Sequence, residues 1–456
     1  MKLNDFSAGI LLTSLSLLVG CGASSPGTTP PTGSGGATGS GGATATGGST
    51  GSGGTTGSGG AVATDGGSGG AVITDGGSGG ATGSDGGSDT VAMMPIPGTC
   101  QPPTDLNQPY AKLSQTGCMD PKDVTKMNSA RVFAYEVNAP LWSDGAAKTR
   151  GMALPPNGKI HVKNCAGKAA TSLTMGDECC VVDPNNYPNC LPPADDGRWV
   201  LPTGTVIVKN FLFDNKLVET RLFMRQSDTD WVGYSYQWDE TQSDATIVSP
   251  DRLSVMFNTG MRSVAWNYPS RMDCMTCHNK GVGYFIGPET VQFNRVPSGT
   301  TTNQLDAMAA KNMFETAPTK PYKAPLVTPY AIPGQIVDLT PASTVPERAL
   351  SYLHANCSYC HRPDGTFYNF DFRMDTPLKS RGVCNQPPMK GTIGVDGALD
   401  LIPGMPGKSV MYLRMDSLMD KVRMPEIGTV VLDSLGTKLI SDWITGLKTT
   451  DCPPAM

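Results

Sequence analysis

The chain has 456 residues and a formal net charge of −5, and charged residues make up only 16% of it. Its basic residues form no stripe or cluster, so the sequence predicts no nucleic-acid partner. Its 55 glycines are concentrated towards the N-terminus. The remaining roughly 360 residues are enough for two ordinary domains.

The first 20 residues have the form of a bacterial export signal. A weakly basic start at Lys2 precedes an apolar stretch over residues 10–19, which is too short to span a bilayer. The stretch ends in Leu-Val-Gly-Cys at positions 18–21, which resembles a lipobox. The resemblance implies cleavage before Cys21 and lipid attachment to it, with an ordinary signal peptide as the alternative. It predicts an exported lipoprotein held on a lipid bilayer. In a Gram-negative cell this is the outer membrane, facing the periplasm or the exterior.

Residues 21–96 are dominated by Gly, Ser, Thr, Ala and Asp, and an approximate decapeptide repeats from Ala61 and again from Ala71. Such a composition cannot bury a core, so we expect a disordered tether. The predicted organisation is a signal peptide (1–20), this tether (21–96), a β-rich domain (97–340) and a smaller domain (341–456).

The first folded domain is predicted to be rich in strands. Residues 205–213 and 217–225 are apolar and β-branched, and Asp-Asn-Lys at 214–216 forms a turn signal between them. Residues 231–238 alternate between aromatic and other residues, which predicts a third strand. Aromatic side chains at alternate positions are more typical of a core than of a ligand site.

Two segments, CMTCH at 274–278 and CSYCH at 357–361, have the C-x-x-C-H pattern of covalent haem c attachment. Residues three apart share one face of a helical turn, so both thiols can reach the two vinyl groups on one porphyrin edge. The next residue, His, can then ligate the iron. A zinc site or a redox-active dithiol is the alternative for such pairs, but the chain has only four His residues. The predicted covalent positions are Cys274, Cys277, Cys357 and Cys360, and the predicted proximal ligands are His278 and His361.

The sixth ligand of the first haem is open on sequence grounds. Met308 and Met313 lie in a predicted helix over residues 304–314, where methionines are more typical of a core. His354 is the rival candidate, unless it bonds a haem propionate or the backbone.

The second domain is predicted to be small and all-α. Thr344 and Glu347 have the form of a capping box at the start of a helix that leads into the second motif. Further helices are predicted over residues 410–421 and 435–447.

A Met-Pro pair precedes the final helix and predicts the distal ligand of the second haem. Pro425 disfavours the α conformation at Met424, so the thioether lies in a loop from which it can reach an iron. This loop and the final helix resemble those of class I cytochromes c. Four other methionines compete by proximity, namely Met405, Met411, Met415 and Met419.

The 13 cysteines also fit export. After Cys21 and the four motif cysteines, eight remain, an even number that fits four disulfides in an oxidising compartment. We expect the four cysteines between positions 165 and 190 to form disulfides that hold together one long loop of the chain. We expect Cys384 to pair with Cys452.

Seven short segments together resemble a family of bacterial dihaem c-type cytochromes with a β-rich N-terminal part. They are APLWSDGAAK (139–148), LPP (154–156), LPTGT (201–205), VETR (218–221), GYSYQW (233–238), DAT (244–246) and YPSRMDCMTCH (268–278). The resemblance covers about residues 130–450 and implies an α+β chain, two covalent haems and electron transfer. Residues 164–196 form a longer connection than is usual in that family.

The leading hypothesis is a membrane-tethered cytochrome that relays single electrons between redox partner proteins, without catalytic residues of its own. One alternative is a dihaem peroxidase-like enzyme with an open first haem, in which Glu289 or Glu315 serves as acid or base. Another alternative is a sugar- or polymer-binding β domain with an attached electron-transfer domain.

Overall fold

The computed structural model describes residues 98–453, apart from 176, 183–186, 192–196, 330–342, 364 and 368. The chain divides into two units, 1–88 and 89–456. The predicted signal peptide, Cys21 and the tether lie outside the described residues, as does the predicted domain boundary at 340. No helix in the described ranges is both long and apolar enough to cross a membrane.

The described residues combine β-sheets with a few helices, in an α+β arrangement. The strands are β1 Met119–Asp120, β2 Asp123–Met127, β3 Phe133–Tyr135, β4 Ala147–Ala153, β5 His161–Val162, β6 Val181–Val182, β7 Cys190–Leu191, β8 Trp199–Val200, β9 Val206–Phe213, β10 Lys216–Arg225, β11 Trp231–Trp238, β12 Ala245–Ile247, β13 Leu253–Asn258 and β14 Ser263–Tyr268. The α-helices are α1 Arg271–Cys277, α2 Thr290–Phe293, α3 Gln304–Ala310, α4 Val345–Asn356, α5 Val410–Met415 and α6 Ser434–Gly446.

The centre of the β-rich part is a six-stranded antiparallel sheet with the order β12-β11-β10-β9-β4-β3. The predicted hairpin and third strand are confirmed as β9, β10 and β11. Asp214 and Asn215 form the two-residue turn with φ of 50° and 63°. This left-handed conformation matches the twist of a tight hairpin and is tolerated by Asp and Asn.

Both faces of the central strands are covered. One face packs into a core that contains Val208, Leu222 and Tyr236, and the other face carries Ile207 and Phe223 towards a second core. The aromatic residues of β11 are buried, as predicted, since Tyr234 and Trp238 are at most 2% exposed. The sheet is therefore an internal wall of the molecule.

The helical part, residues 343–453, surrounds the second C-x-x-C-H motif in the sequence: α4 precedes the motif, and α5 and α6 come after it. Helix α4 begins with the predicted capping box, in which Thr344 Oγ1 accepts the N–H of Glu347. Helix α6 confirms the predicted final helix, and Asp433 at its N-cap accepts a hydrogen bond from the hydroxyl of Tyr352 at 3.0 Å. Among described residues of 343–453, no strand accompanies these helices, only isolated bridges.

Two predicted helices are shorter than expected. The helix over 410–421 ends at Met415, where the chain folds back and Arg414 donates a hydrogen bond to the Val422 carbonyl at 3.1 Å. The helix over 304–314 ends at Ala310, because Asn312 adopts a left-handed conformation with φ of 56°.

Four disulfides are present in the described ranges, which confirms the predicted number and the Cys384–Cys452 pair. The pairs Cys165–Cys179 and Cys180–Cys190 hold together the predicted long loop. The remaining pair is Cys100–Cys118.

Candidate functional site

Both C-x-x-C-H motifs line one cavity of about 670 Å³, between the sheet and the helical part. The volume falls in the range of about 300–1,000 Å³ that is typical of ligand and cofactor sites. Its lining includes both cysteines and the histidine of each motif, namely Cys274, Cys277, His278, Cys357, Cys360 and His361. Two segments that are far apart in the sequence therefore share a single site.

The first motif lies on helix α1, which packs against strand β11. Ser270 caps the helix in a capping box with Asp273, and Arg252 binds the Asp273 carboxylate through two hydrogen bonds of 2.7 and 2.9 Å. Gly233 lies under the first thiol of the motif. A Cβ atom at position 233 would be 2.8 Å from the Sγ of Cys274, so only glycine leaves room for this contact.

His278 is held in one tautomer. Its Nδ1 lies 2.8 Å from the carbonyl oxygen of Tyr284, so Nδ1 carries the proton and donates it. The ring packs on Phe223, with the two ring centroids 3.9 Å apart. Burial lowers the pKa of His278 to about 4, so the ring is neutral at pH 7. Its Nε2 is consequently unprotonated, which is the form that ligates a metal.

The second motif forms a turn immediately after helix α4. The N–H groups of Cys360 and His361 both donate to the Cys357 carbonyl, at 3.2 and 2.9 Å. Three aromatic rings surround His361 with centroids 5.5–5.6 Å away, namely Phe367, Phe370 and Phe372. Burial lowers the pKa of His361 to about 4, so this imidazole is also neutral at pH 7.

The two motifs touch each other. The Sγ atoms of Cys277 and Cys360 are 3.6 Å apart. The hydroxyl of Thr366, from the second motif's loop, donates a hydrogen bond to the Thr276 carbonyl of the first motif at 2.8 Å. The attachment points of the two motifs are therefore neighbours.

The four motif cysteines are the free cysteines of the described residues. Burial raises the pKa of Cys274, and it raises the pKa of Cys357 to about 12, so both are thiols at neutral pH. The described residues contain no group of three or more Cys, His, Asp or Glu side chains that could hold a bare metal ion. The four thiols thus do not converge on one point.

Met424 lines the cavity, together with Met389, Met411 and Met415. The Met424 N–H donates to the Arg414 carbonyl at 2.9 Å, and the Met424–Pro425 peptide bond is cis. The other two competitors predicted by proximity, Met405 and Met419, are absent from the lining and are 52% and 69% exposed. Met389 was missed by the sequence analysis because no helix or Met-Pro pair marks it.

None of the three candidate distal ligands for the first haem lines the cavity. Met308 is fully buried in the core beside Leu305, and Met313 packs on the edge of the same core. His354 donates from Nε2 to the Glu289 carboxylate at 2.6 Å and accepts the Met374 N–H at Nδ1 at 2.9 Å. Both nitrogens of His354 are engaged, so this arrangement does not favour any of the three as a ligand.

The sheet contributes a polar row to the cavity that the sequence analysis missed. Its members lie directly opposite one another across β3, β4, β9, β10 and β11, and all of them line the cavity: Tyr135, Arg150, Lys209, Arg221 and Ser235. The detectable signal was Lys209, the one charged residue of the largely apolar strand β9, together with Arg221 two residues after Glu219 in β10. No protein-family model, no curated protein and no solved structure matches the chain.

Proposed function

We propose that the chain is a membrane-tethered dihaem c-type cytochrome that transfers single electrons between partner proteins. In this proposal the β-rich part carries the first haem, and the helical part is a small cytochrome c domain that carries the second. The observation that carries the proposal is the convergence of both C-x-x-C-H motifs on one cavity, with two of their thiols 3.6 Å apart. The resemblance of the sequence to bacterial dihaem c-type cytochromes, and of the final helix to that of class I cytochromes c, also supports the proposal.

The donor set fits two covalent haems. Each motif presents two free cysteines and one neutral imidazole to the cavity, and the imidazole of His278 has Nε2 free for an iron. Haem supplies reversible one-electron Fe(III)/Fe(II) chemistry when it is bound. The chain's own residues hold and orient it. The aromatic rings around His361 exclude water from that imidazole, and Tyr284 fixes the His278 tautomer.

Covalent haem is directly testable in protein made by a host with a cytochrome c maturation system. We expect a haem-stained denaturing gel to show the full chain, and mass spectrometry to show two haems. A Cys274→Ala/Cys277→Ala variant should keep one haem, and a Cys357→Ala/Cys360→Ala variant should keep the other. A wild-type chain without covalent haem would contradict the proposal.

Met424 is proposed as the distal ligand of the second haem. His/Met ligation favours Fe(II) and raises the midpoint potential, so Met424→Ala should lower the potential of one haem and change its EPR signal. Met411→Ala and Met415→Ala are matched controls, because both residues line the same cavity. A change with either control and none with Met424→Ala would assign the ligand elsewhere.

A dihaem peroxidase-like enzyme is the second candidate. The supporting observation is that no predicted sixth ligand of the first haem reaches the cavity. Neither acid or base candidate lines the cavity. Glu289 accepts a hydrogen bond from His354, and Glu315 lies 3.0 Å from the His161 ring. Visible and EPR spectra before and after addition of peroxide distinguish the two. Two low-spin, six-coordinate haems that are indifferent to peroxide would rule out the enzyme.

Membrane anchoring through Cys21 belongs to the same proposal and rests on the lipobox-like sequence alone. We expect Cys21→Ser to release the protein from the membrane fraction without loss of haem. Release of the unaltered protein by a salt wash would contradict an acyl anchor.

A further inference from the structure

The polar row on the cavity wall brings three cations together. Arg150 pairs with Lys209 across β4 and β9, and Lys209 pairs with Arg221 across β9 and β10. Directly opposite residues of an antiparallel pair have Cβ atoms only about 4.5–5.5 Å apart, and like charges at that separation repel. The sheet therefore holds three neighbouring positive charges at the wall of a cavity.

Only one of these charges is balanced within the described residues. Arg221 forms two hydrogen bonds of 2.7 and 2.9 Å with the buried carboxylate of Glu219. Trp266 donates to the same carboxylate at 2.8 Å, so Glu219 is fully committed. The side chains of Arg150 and Lys209 form no hydrogen bond or ion pair with any residue the structure describes. The Lys209 ammonium lies 5.0 Å from the ring centroid of Phe211.

The remaining carboxylates of the cavity do not compensate these two cations. Those in its lining are Asp273, Asp400 and Glu426. Asp273 is bound by Arg252, and neither of the other two forms an ion pair with Arg150 or Lys209 in the described ranges. Burial and the neighbouring cations lower the pKa of Lys209 well below its usual value, against the opposing effect of Glu219.

The polar row is adjacent to the first C-x-x-C-H motif. The next row along the same sheet face contains Ile207, Phe223 and Gly233, which lie two residues from Lys209, Arg221 and Ser235 of the polar row. The His278 ring packs on Phe223, and Cys274 Sγ packs on Gly233. A group attached to this motif would lie against the sheet beside Arg150 and Lys209.

We propose that Arg150 and Lys209 form an anion site that binds the propionate carboxylates of the haem attached to Cys274 and Cys277. This inference rests on the proposed function. Two unpaired cations match two propionates in number, and charge-assisted hydrogen bonds from Arg and Lys are the strong means of holding a carboxylate. The Tyr135 hydroxyl, which has no partner among described residues and belongs to a side chain only 6% exposed, lies at the end of the same row.

The test is the midpoint potential of each haem in the full holoprotein, measured by spectroelectrochemical titration. Removing a cation beside a propionate favours the more positive Fe(III) state, so Arg150→Gln and Lys209→Gln should each lower one potential. We expect about a tenfold shift of the Fe(III)/Fe(II) equilibrium, which is about 59 mV for one electron. Lys216→Gln, on the same sheet but outside the cavity lining, should leave both potentials unchanged. Unchanged potentials in both cavity variants would overturn the inference.

Further arms separate this inference from its alternatives. If Arg150→Gln fails to retain the first haem, Arg150→Lys tests whether a positive charge is required at this position. Haem content restored in Arg150→Lys supports the inference, and continued loss of haem counts against it. Acetate is the probe for a site open to external anions. A spectral change with acetate in the wild type that disappears in Arg150→Gln would overturn the propionate assignment. Absence of covalent haem in the wild type refutes the proposed function itself, and the stained gel reveals that outcome independently.

Discussion

Gly233 offers the sharpest test of how the sheet and the first motif fit together. A Cβ atom at this position would lie 2.8 Å from Cys274 Sγ and 3.3 Å from Cys274 Cβ. Overpacking of this kind costs typically about 1–3 kcal/mol. Without the clash, Gly→Ala would stabilise the protein by about 0.4–1 kcal/mol, because it restricts the unfolded chain. We therefore expect Gly233→Ala to lower the free energy of unfolding by roughly 1 kcal/mol and to reduce haem content at the first motif.

Thermal unfolding and haem content are measured together, with Gly446→Ala as the control. No atom lies within 4 Å of a Cβ placed at Gly446, in helix α6, so that variant should be as stable as the wild type or more stable. Combining Gly233→Ala with Cys274→Ala tests the contact itself, since removal of Sγ should relieve part of the cost. A Gly233→Ala protein with full stability and two haems would refute the reasoning.

Two further predictions concern parts of the fold outside the cavity. The hydrogen bond that the His161 ring donates to the Glu178 carboxylate raises the pKa of His161, so protonated His161 stabilises the folded state. This contribution is complete below the unfolded pKa of about 6.5 and is lost as pH rises through the higher folded pKa. The stability difference between wild type and His161→Gln should therefore shrink as pH rises from 6 to 9, and a pH-independent difference would contradict it. The Cys384–Cys452 disulfide closes a loop with a sequence separation of 68. Replacing both cysteines by Ser should lower the free energy of unfolding by about 4 kcal/mol in a denaturant titration, whereas a loss below about 1 kcal/mol would show that the reduced chain retains this contact.

The locally encoded parts of the fold were predictable from the sequence. The β9–β10 hairpin depends on a two-residue turn and two apolar runs, and both signals lie within about 20 residues. The capping box at Thr344 and the apolar face of α6 are local in the same sense. The helix predicted over 304–314 was too long because Asn, which ends α3 by adopting a left-handed conformation at Asn312, is not exclusive to helix ends. The helix predicted over 410–421 was too long because the chain folds back after Met415, where the Arg414 side chain donates to the Val422 carbonyl.

The candidate site was predictable only in its motif residues. The attachment cysteines follow from the C-x-x-C-H pattern, but their convergence on one cavity depends on packing between residues 83 positions apart. The same limit explains the failure to find Arg150 and Lys209. Strand β4 contains Lys148 as well as Arg150, whereas Lys209 is the one basic residue of β9. Only the register between β4 and β9 makes Arg150 and Lys209 neighbours.

The β-rich part and the helical part build this site jointly, which bears on the alternative of a sheet that binds a polymer by itself. The Asp144 carboxylate, just before β4, accepts the N–H groups of Val430 and Val431 at 2.9 Å each, in the segment that follows the Met-Pro pair. The backbone N–H of Trp142 donates a hydrogen bond of 2.7 Å to Oδ1 of Asn356, the last residue of α4. One face of the central strands is covered by a hydrophobic core, and the other forms the cavity wall and packs on the first motif. Arg150 and Lys209 of the sheet line the same cavity as the two C-x-x-C-H motifs. The proposed electron-transfer site therefore includes the sheet as well as the two motifs.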